Sequence, residues 1–225
     1  MSITYVSALI DLYEERDKSV EDRITFFNSL QQSGIYIHLF LSPTYRDKVT
    51  LENGVIEYIS LEDMETFKNT GVKDHHPFDN QLKNTKQFMI LMNAKTEFVY
   101  RSMKSRDTTH YAWIDFNISH VFKDIENTNL YIKNIKDLPE TCLYMPGCWP
   151  KNEIGFQQPN WRFCGGFFIG DKKSLVDFYE LHKNVYKNLT TLTWEVNVWS
   201  HMELKYNWKP NWYFADHDDS IVRCL

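Results

Sequence analysis

The chain has 225 residues, of which 43% are hydrophobic and 24% are charged, a composition typical of a folded domain rather than a disordered chain. Its 30 acidic residues outnumber its 25 basic residues, and no basic stripe is visible, which argues against a nucleic-acid-binding protein. No apolar run approaches the ~20 residues of a membrane span, so we expect no such span. Because the chain begins with a strand-like segment, we expect no signal peptide, and we expect a cytoplasmic protein.

The residue pattern in the first part of the chain predicts strands that alternate with helices. Residues 3–10 form a short apolar run, typical of a buried strand in a parallel sheet, and this run ends in Asp11. A helix is expected next, because Ser19 is a favourable N-cap residue with the acid Asp22 three residues on. That helix should stop at Gly34. Two further strand candidates follow it, at residues 35–41 and 55–59.

The longest helical pattern covers residues 80–105, where apolar residues recur close to the 3.6-residue period. A buried strand at 111–114 follows and leads into Asp115. The remaining segments are expected to be strands at 143–145 and 167–169, helices at 174–187 and 194–204, and a mostly loop-like tail over 208–225. This order predicts an α/β fold, a single domain over residues 1–225 with a mixed, mostly parallel sheet flanked by helices.

The end of the strand at 111–114 delivers two oxygen-bearing side chains, Asp115 and Asn117. Open α/β sheets bind ligands beyond the carboxyl ends of their strands, so this is a favourable place for a site. One carboxylate and one amide oxygen suit a hard cation such as Mg²⁺ or Mn²⁺, which also binds phosphate oxygens. On spacing alone, an Asp-x-Asn turn after a core strand is an equally good interpretation.

The pair Asp115 and Asn117 resembles the D-x-D element of GT-A glycosyltransferases, with the asparagine in place of the second carboxylate. The segment around Gly165 and Gly166 resembles the glycine-containing strand of that family, which faces the donor sugar. A helix with Glu195 follows, where many members place an acidic residue near the acceptor. In detail the chain is similar to the small HtrL/YibB-like group, whose members share a strand ending in W-I-D and a C-G-G-F strand. The resemblance implies a single GT-A-like domain.

The resemblance also implies a Mn²⁺ or Mg²⁺ cofactor held at the end of this strand. Asp115, Asn117 and His217 are the expected ligands, the histidine by analogy with glycogenin-like members. Asp218 or Asp219 could serve instead of His217, and a polar terminal turn is an equal interpretation of this region. Because Asn117 removes one negative charge from the motif, metal affinity should be weaker than in a full D-x-D element.

The implied reaction moves a sugar from a nucleoside diphosphate sugar, expected to be UDP-linked, to a hydroxyl group of a sugar or glycan acceptor. Asp11 and Tyr13 fall where the family contacts the base and ribose, and Glu195 would contact a donor or acceptor hydroxyl, acting as general base if the reaction inverts. Lys86 and Arg101 fall where members place a phosphate-contacting base. The full set expected to bind the donor is Asp11, Tyr13, Lys86, Arg101, Arg162, Gly165 and Gly166.

Two other functions are alternatives to a glycosyltransferase. A catalytically silent nucleotide-sugar-binding or interaction protein on the same fold stays open because of Asn117. A nucleotidyltransferase would need a glycine-rich, basic loop after the first strand, and residues 12–18 contain no glycine. The chain has no G-x-S-x-G elbow, no Walker loop and no G-x-G-x-x-G after the first strand. Its four cysteines lack C-x-x-C spacing, and we expect reduced thiols.

Overall fold

The structure, a computed structural model, describes residues 2–12, 18–75, 84–153 and 155–224. Tyr13 and the predicted helix start at residues 80–83 lie outside these ranges. In chain order, the strands are β1 (Ile3–Leu9), β2 (Ile37–Leu41), β3 (Gly54–Tyr58), β4 (Asp74–His75), β5 (His110–Ile114), β6 (Leu143–Gly147), β7 (Phe167–Asp171), β8 (Thr191–Leu192) and β9 (Asn211–Phe214).

Seven of these strands form one sheet in the order β3-β2-β1-β5-β7-β6-β9. Strand β7 runs antiparallel to both of its neighbours, and the other pairings in this sheet are parallel. The two short strands β4 and β8 pair separately. The predicted α/β fold with a mixed, mostly parallel sheet is therefore confirmed.

Helices cover the sheet, and several of them start at side-chain caps that the sequence provides. Ser19 caps the first helix, as predicted, by accepting a hydrogen bond from the Asp22 amide at 3.0 Å. The helices are α1 (Val20–Gln31), α2 (Glu65–Thr70), α3 (Lys86–Asn93), α4 (Lys95–Ser105), α5 (Ile125–Lys133), α6 (Lys172–Asn188) and α7 (Glu195–Lys205). Within the described ranges, none of them is both long enough and apolar enough to cross a bilayer.

The two faces of the sheet bury different sets of side chains, because successive residues of a strand point to opposite faces. Val6 and Trp113 belong to the core cluster that packs against α3, α4, α6 and α7. Leu9 and Ile114 belong to the second cluster, which packs against α1 and α5. Helices α4 and α7 therefore share one face, and this brings their first residues together beside the end of β5.

Two predicted elements differ from the structure. The single helix expected up to residue 105 is two helices, α3 and α4, which meet at Ala94. Asn93 lies at this break, and its side-chain amide donates to the Met89 carbonyl and to the Thr193 carbonyl, both at 2.8 Å. Short polar side chains of this kind compete with the helical hydrogen bonds of the backbone. The tail expected to be a loop contains the edge strand β9, which pairs with β6.

Candidate active site

A cavity of about 1150 Å³ lies at the carboxyl ends of β1 and β5. Its walls come from these strand ends, from α3, from the segment between β6 and β7, and from the start of α7. Asp115, Gly165, Gly166 and Glu195, which the sequence singled out, all line it. The carboxyl edge of an α/β sheet is the usual place for a ligand site, and here the predicted residues from distant parts of the chain meet at that edge.

Lys95, the first residue of α4, links three of these segments. Its ammonium group donates to Glu195 Oε1 and to the Gly165 carbonyl, both at 2.9 Å, and lies 3.1 Å from Asp115 Oδ1. The lysine side chain is only 2% exposed and that of Glu195 only 3%. An ammonium group has three N–H donors, so these three oxygen atoms satisfy it. Lys95 thus fixes the relative positions of both carboxylates and of the glycine segment.

The charges in this cluster do not balance. Burial acts to lower the pKa of Lys95, but the carboxylates of Asp115 and Glu195 outweigh it and raise this pKa above its usual value of 10.5. Lys95 is therefore charged at neutral pH. One ammonium group against two carboxylates leaves one net negative charge, which favours a cation at this edge of the cavity.

The two carboxylates of this cluster differ in the hydrogen bonds that they accept and in their exposure. Glu195 Oε2 is buried and accepts no hydrogen bond. Asp115 uses Oδ1 for both Lys95 and the Trp113 indole N–H, the latter at 2.7 Å, and its side chain is 31% exposed. An unsatisfied buried acceptor costs about 1–3 kcal/mol, and nearly all such atoms in proteins are paired. Because this atom is enclosed by the protein, a hydroxyl group of a ligand reaches Glu195 Oε2 only when the carboxylate turns toward the cavity.

Gly165 and Gly166 lack side chains where a Cβ atom would collide with this cluster or its neighbours. A Cβ atom on Gly165 would lie 2.0 Å from Glu195 Oε1 and 3.2 Å from Lys95 Nζ. A Cβ atom on Gly166 would lie 2.9 Å from Ile118 Cδ1. The carbonyl of Gly166 also accepts from the Asp115 amide at 2.9 Å. The missing side chain at Gly165 therefore makes room for the ion pair, whereas the sequence motif had indicated room for a sugar.

We expect Gly165→Ala to lower the free energy of unfolding by about 1–3 kcal/mol, because the new methyl group must displace the Glu195 carboxylate from Lys95. Gly155→Ala is a matched control in the same loop, since no atom lies within 4 Å of the added methyl group there. Urea denaturation of both variants measures the difference. Equal stability of the two variants would show that the Glu195 side chain does not occupy this position.

The predicted metal ligands lie in the same cavity, but they do not form a metal centre made by the protein alone. Asn117 and His217 line the cavity, and the His217 ring packs edge-on against His120 at 5.7 Å. Among the described residues, no three His, Cys, Asp or Glu side chains are grouped to hold a metal ion. Magnesium is commonly bound by one or two carboxylates plus substrate phosphates and water. Asp115 Oδ2 fits that kind of site, in which a diphosphate supplies the other ligands.

The two alternative ligands, Asp218 and Asp219, have structural partners instead. Asp218 Oδ2 accepts from Lys123 Nζ at 2.7 Å, and Asp219 Oδ1 accepts from the Thr128 hydroxyl at 2.6 Å. These contacts attach the C-terminal turn to the start of α5. Neither aspartate is among the described residues that line the cavity.

Several residues predicted to bind the donor do not line the cavity in the described structure. Arg162 forms a buried two-point ion pair with Glu203, at 3.0 and 2.8 Å. Arg101 pairs with Glu97 at 3.0 Å, and Lys86 is exposed at the start of α3. Asp11 follows β1, and its backbone amide donates to Ser42 Oγ at 2.9 Å, but the residue is not among those that line the cavity. Tyr13 lies outside the described residues.

Sequence reasoning missed the basic residues that do line the cavity. These are Lys95, Lys18 and Arg23. One signal was available for Lys95: it lies between Met92 and Val99 on the apolar stripe of the predicted helix. A charged residue on a buried helical face needs a partner of opposite charge. For Lys18 and Arg23 the sequence pattern gives no comparable signal.

No protein-family model matches this chain, and no curated protein matches it. Solved structures with a similar chain path include a glycosyltransferase involved in glycosylation of the major capsid of PBCV-1, which is 12% identical with a TM-score of 0.47 over 96% of this chain and 82% of that one. The inositol-1-phosphate CTP transferase from T. maritima is 10% identical, with a TM-score of 0.46 over 96% of this chain and 85% of that one.

A third similar structure is the bifunctional IspDF from Campylobacter jejuni, 10% identical with a TM-score of 0.45 over 96% of this chain and 50% of that one. At such identities and scores these similarities assign neither a function nor a family, and membership of the HtrL/YibB-like group stays a prediction.

Proposed function

We propose that this chain is a glycosyltransferase that moves a sugar from a nucleoside diphosphate sugar, UDP-linked, to a hydroxyl acceptor. The observation that supports it most is the buried Lys95, which holds Asp115 and Glu195 beside one cavity and leaves Glu195 Oε2 without a hydrogen bond. Two carboxylates of different exposure suit different tasks. The half-buried Asp115 serves a diphosphate, and the fully buried Glu195 serves a hydroxyl group.

Asp115 is proposed to anchor the diphosphate through a shared divalent cation. When bound, Mn²⁺ or Mg²⁺ would neutralise the charge that develops on the leaving diphosphate. Asn117 and His217 line the cavity beside this position and would complete the ligand set. Lys18 and Arg23 also line the cavity.

Glu195 is proposed to turn its enclosed Oε2 toward the cavity and to accept a hydrogen bond there from the acceptor hydroxyl. It would then take the proton of that hydroxyl as the acceptor oxygen bonds to the anomeric carbon and the bond from this carbon to the diphosphate breaks. Lys95 occupies Oε1, so Oε2 is the oxygen that is left for the hydroxyl group. As the first residue of α7, the carboxylate also lies at the helix N-terminus, where negative charge is stabilised.

A silent binding protein is the second candidate, and one observation favours it. Because Asn117 stands where a D-x-D element has its second aspartate, Asp115 is the one carboxylate of this motif. The described residues provide no group of three His, Cys, Asp or Glu ligands. Such a protein would bind UDP without turning over a UDP-sugar. Binding and turnover must therefore be measured separately.

We expect Asp115→Ala to remove the dependence of UDP binding on Mn²⁺, with at least a tenfold (about 1.4 kcal/mol) loss of affinity at saturating metal. The fold should survive, because Lys95 and Glu195 then balance each other's charge. Asn117→Asp should instead strengthen Mn²⁺-dependent binding, since it adds a carboxylate beside a hard dication. Calorimetric titrations of UDP at several Mn²⁺ concentrations measure both effects.

Asp47→Ala, which removes an exposed carboxylate that is not among the residues lining the cavity, is the control and should behave as the wild type. Unchanged metal dependence in a folded Asp115→Ala variant would exclude Asp115 as the metal ligand. Failure of the wild type to bind UDP with or without Mn²⁺ would contradict the proposed function itself.

A further inference from the structure

The segment between β6 and β7 presents two indole rings and two amide side chains to the cavity. Trp149, Gln157, Gln158 and Trp161 all line it, and we call this group the tryptophan wall. Trp161 is 39% exposed, which is unusual for so large an apolar side chain. The amides of Cys148 and Trp149 both donate to the Trp161 carbonyl, at 2.9 and 3.0 Å. The two tryptophans therefore project from adjacent, hydrogen-bonded backbone.

Buried polar contacts hold this wall against helix α7. Asn197 accepts from the Asn160 amide at 2.6 Å and donates to the Gln158 carbonyl at 3.0 Å. Arg162 donates to the Trp149 carbonyl at 3.4 Å while it is paired with Glu203 of α7. Arg162, which was predicted to bind the donor, thus supports the wall. A surface fixed in this way binds a ligand without the entropy cost of ordering a loop.

The tryptophan wall and strand β1 lie on opposite sides of Asp115, because of the order of the strands in the sheet. Strands β1 and β6 are separated by β5 and β7, three strand spacings or about 14 Å. Asp115 follows β5, between them. The resemblance places the nucleoside near Asp11, after β1, and a donor in that orientation leaves the tryptophan wall to the other reactant. Glu195 begins α7, the same helix to which the wall is attached.

We propose that the tryptophan wall is the acceptor site and that the acceptor is a carbohydrate. The face of a sugar ring that carries C–H groups packs on the electron-rich face of an indole. Its hydroxyl groups both donate and accept, which matches the amide side chains of Gln157 and Gln158. None of the four wall residues is charged, so an uncharged polyhydroxyl ligand fits better than an acidic one. The role as acceptor site rests on the proposed function, whereas carbohydrate binding by the wall does not.

The test is capture of glycans by the labelled protein on a printed oligosaccharide array, followed by calorimetry with the strongest binder. We expect the wild type to bind at least one oligosaccharide. Trp161→Ala should weaken this binding by about fivefold to tenfold, and Trp161→Phe should retain most of it because an aromatic face remains. UDP affinity in the presence of Mn²⁺ should not change in either variant.

Tyr206→Ala is the matched control, because Tyr206 is 46% exposed but is not among the residues that line the cavity. It should bind the glycan as the wild type does. Circular dichroism verifies that each variant is folded, which we expect since Trp161 is exposed.

The outcomes separate this inference from the proposed function. UDP binding without capture of any glycan would overturn the tryptophan wall as a carbohydrate site and leave the donor site in place. Glycan binding that Trp161→Ala does not weaken would overturn it as well. A loss of UDP affinity in Trp161→Ala would place the nucleoside on the wall and contradict it. Glycan binding lost in Trp161→Ala, in a protein that does not bind UDP, would support the wall and contradict the proposed donor.

Discussion

Lys95→Met is expected to lower the free energy of unfolding by about 3–5 kcal/mol, the usual cost of removing one partner from a buried ion pair. Methionine keeps most of the aliphatic stem and removes the ammonium group, so the loss is electrostatic rather than steric. Glu195, only 3% exposed, would stay in the protein interior without a counter-charge and close to Asp115. Urea denaturation followed by circular dichroism measures the change.

Two further variants test the cause of this destabilisation. Lys86→Met, on the exposed start of α3, should change stability by no more than about 0.5 kcal/mol. Lys95→Met combined with Glu195→Gln should be more stable than Lys95→Met alone, because the uncompensated buried charge is then gone. If Lys95→Met were as stable as the wild type, or if the double variant showed no recovery, the ion pair would not hold the cavity wall together.

The central strands could be predicted from sequence because each is an uninterrupted apolar run, as at residues 111–114. The break between α3 and α4 could not, since apolar spacing continues from Met89 through Met92 to Val99 across it. What ends α3 is a tertiary contact, the Asn93 amide on the Thr193 carbonyl. Strand β9 was missed for a similar reason: it exists through its pairing with β6, and an edge strand half exposed to water gives a weak pattern.

For the site, the sequence identified the carboxylates and missed the cation between them. Asp115 was singled out by its position at a strand end, and Glu195 by the resemblance to GT-A glycosyltransferases. A lysine in a helical pattern is usually solvated, so Lys95 was not distinguished from Lys86. The ion pair of Arg162 could not be predicted because its partner, Glu203, is 41 residues away in the chain and pattern reasoning cannot pair them. Local signals identify side chains that end an element, whereas buried ion pairs between elements require the fold.

Glu195→Gln is expected to lower the turnover of a UDP-sugar by about 10²–10⁴-fold, the range typical of a lost general base, while UDP affinity stays nearly unchanged. Glutamine keeps an oxygen atom that can accept from Lys95, and Asp115 still balances the lysine charge, so the fold should hold. What changes is the second position: an acceptor at Oε2 becomes an N–H donor that cannot take a proton from a hydroxyl group. Steady-state release of UDP measures turnover, and calorimetry measures affinity.

Glu62→Gln, an exposed substitution outside the cavity, is the control for the loss of one surface charge. Loss of UDP affinity in a folded Glu195→Gln variant would mean that this carboxylate contacts the nucleotide and not a sugar hydroxyl. Equal turnover in the variant and the wild type would remove Glu195 from the reaction, and Oε2 would then be an acceptor that positions the ligand. A wild type that binds UDP tightly yet releases none from any UDP-sugar would identify the silent binding protein, because the same two carboxylates would then hold a donor without activating an acceptor.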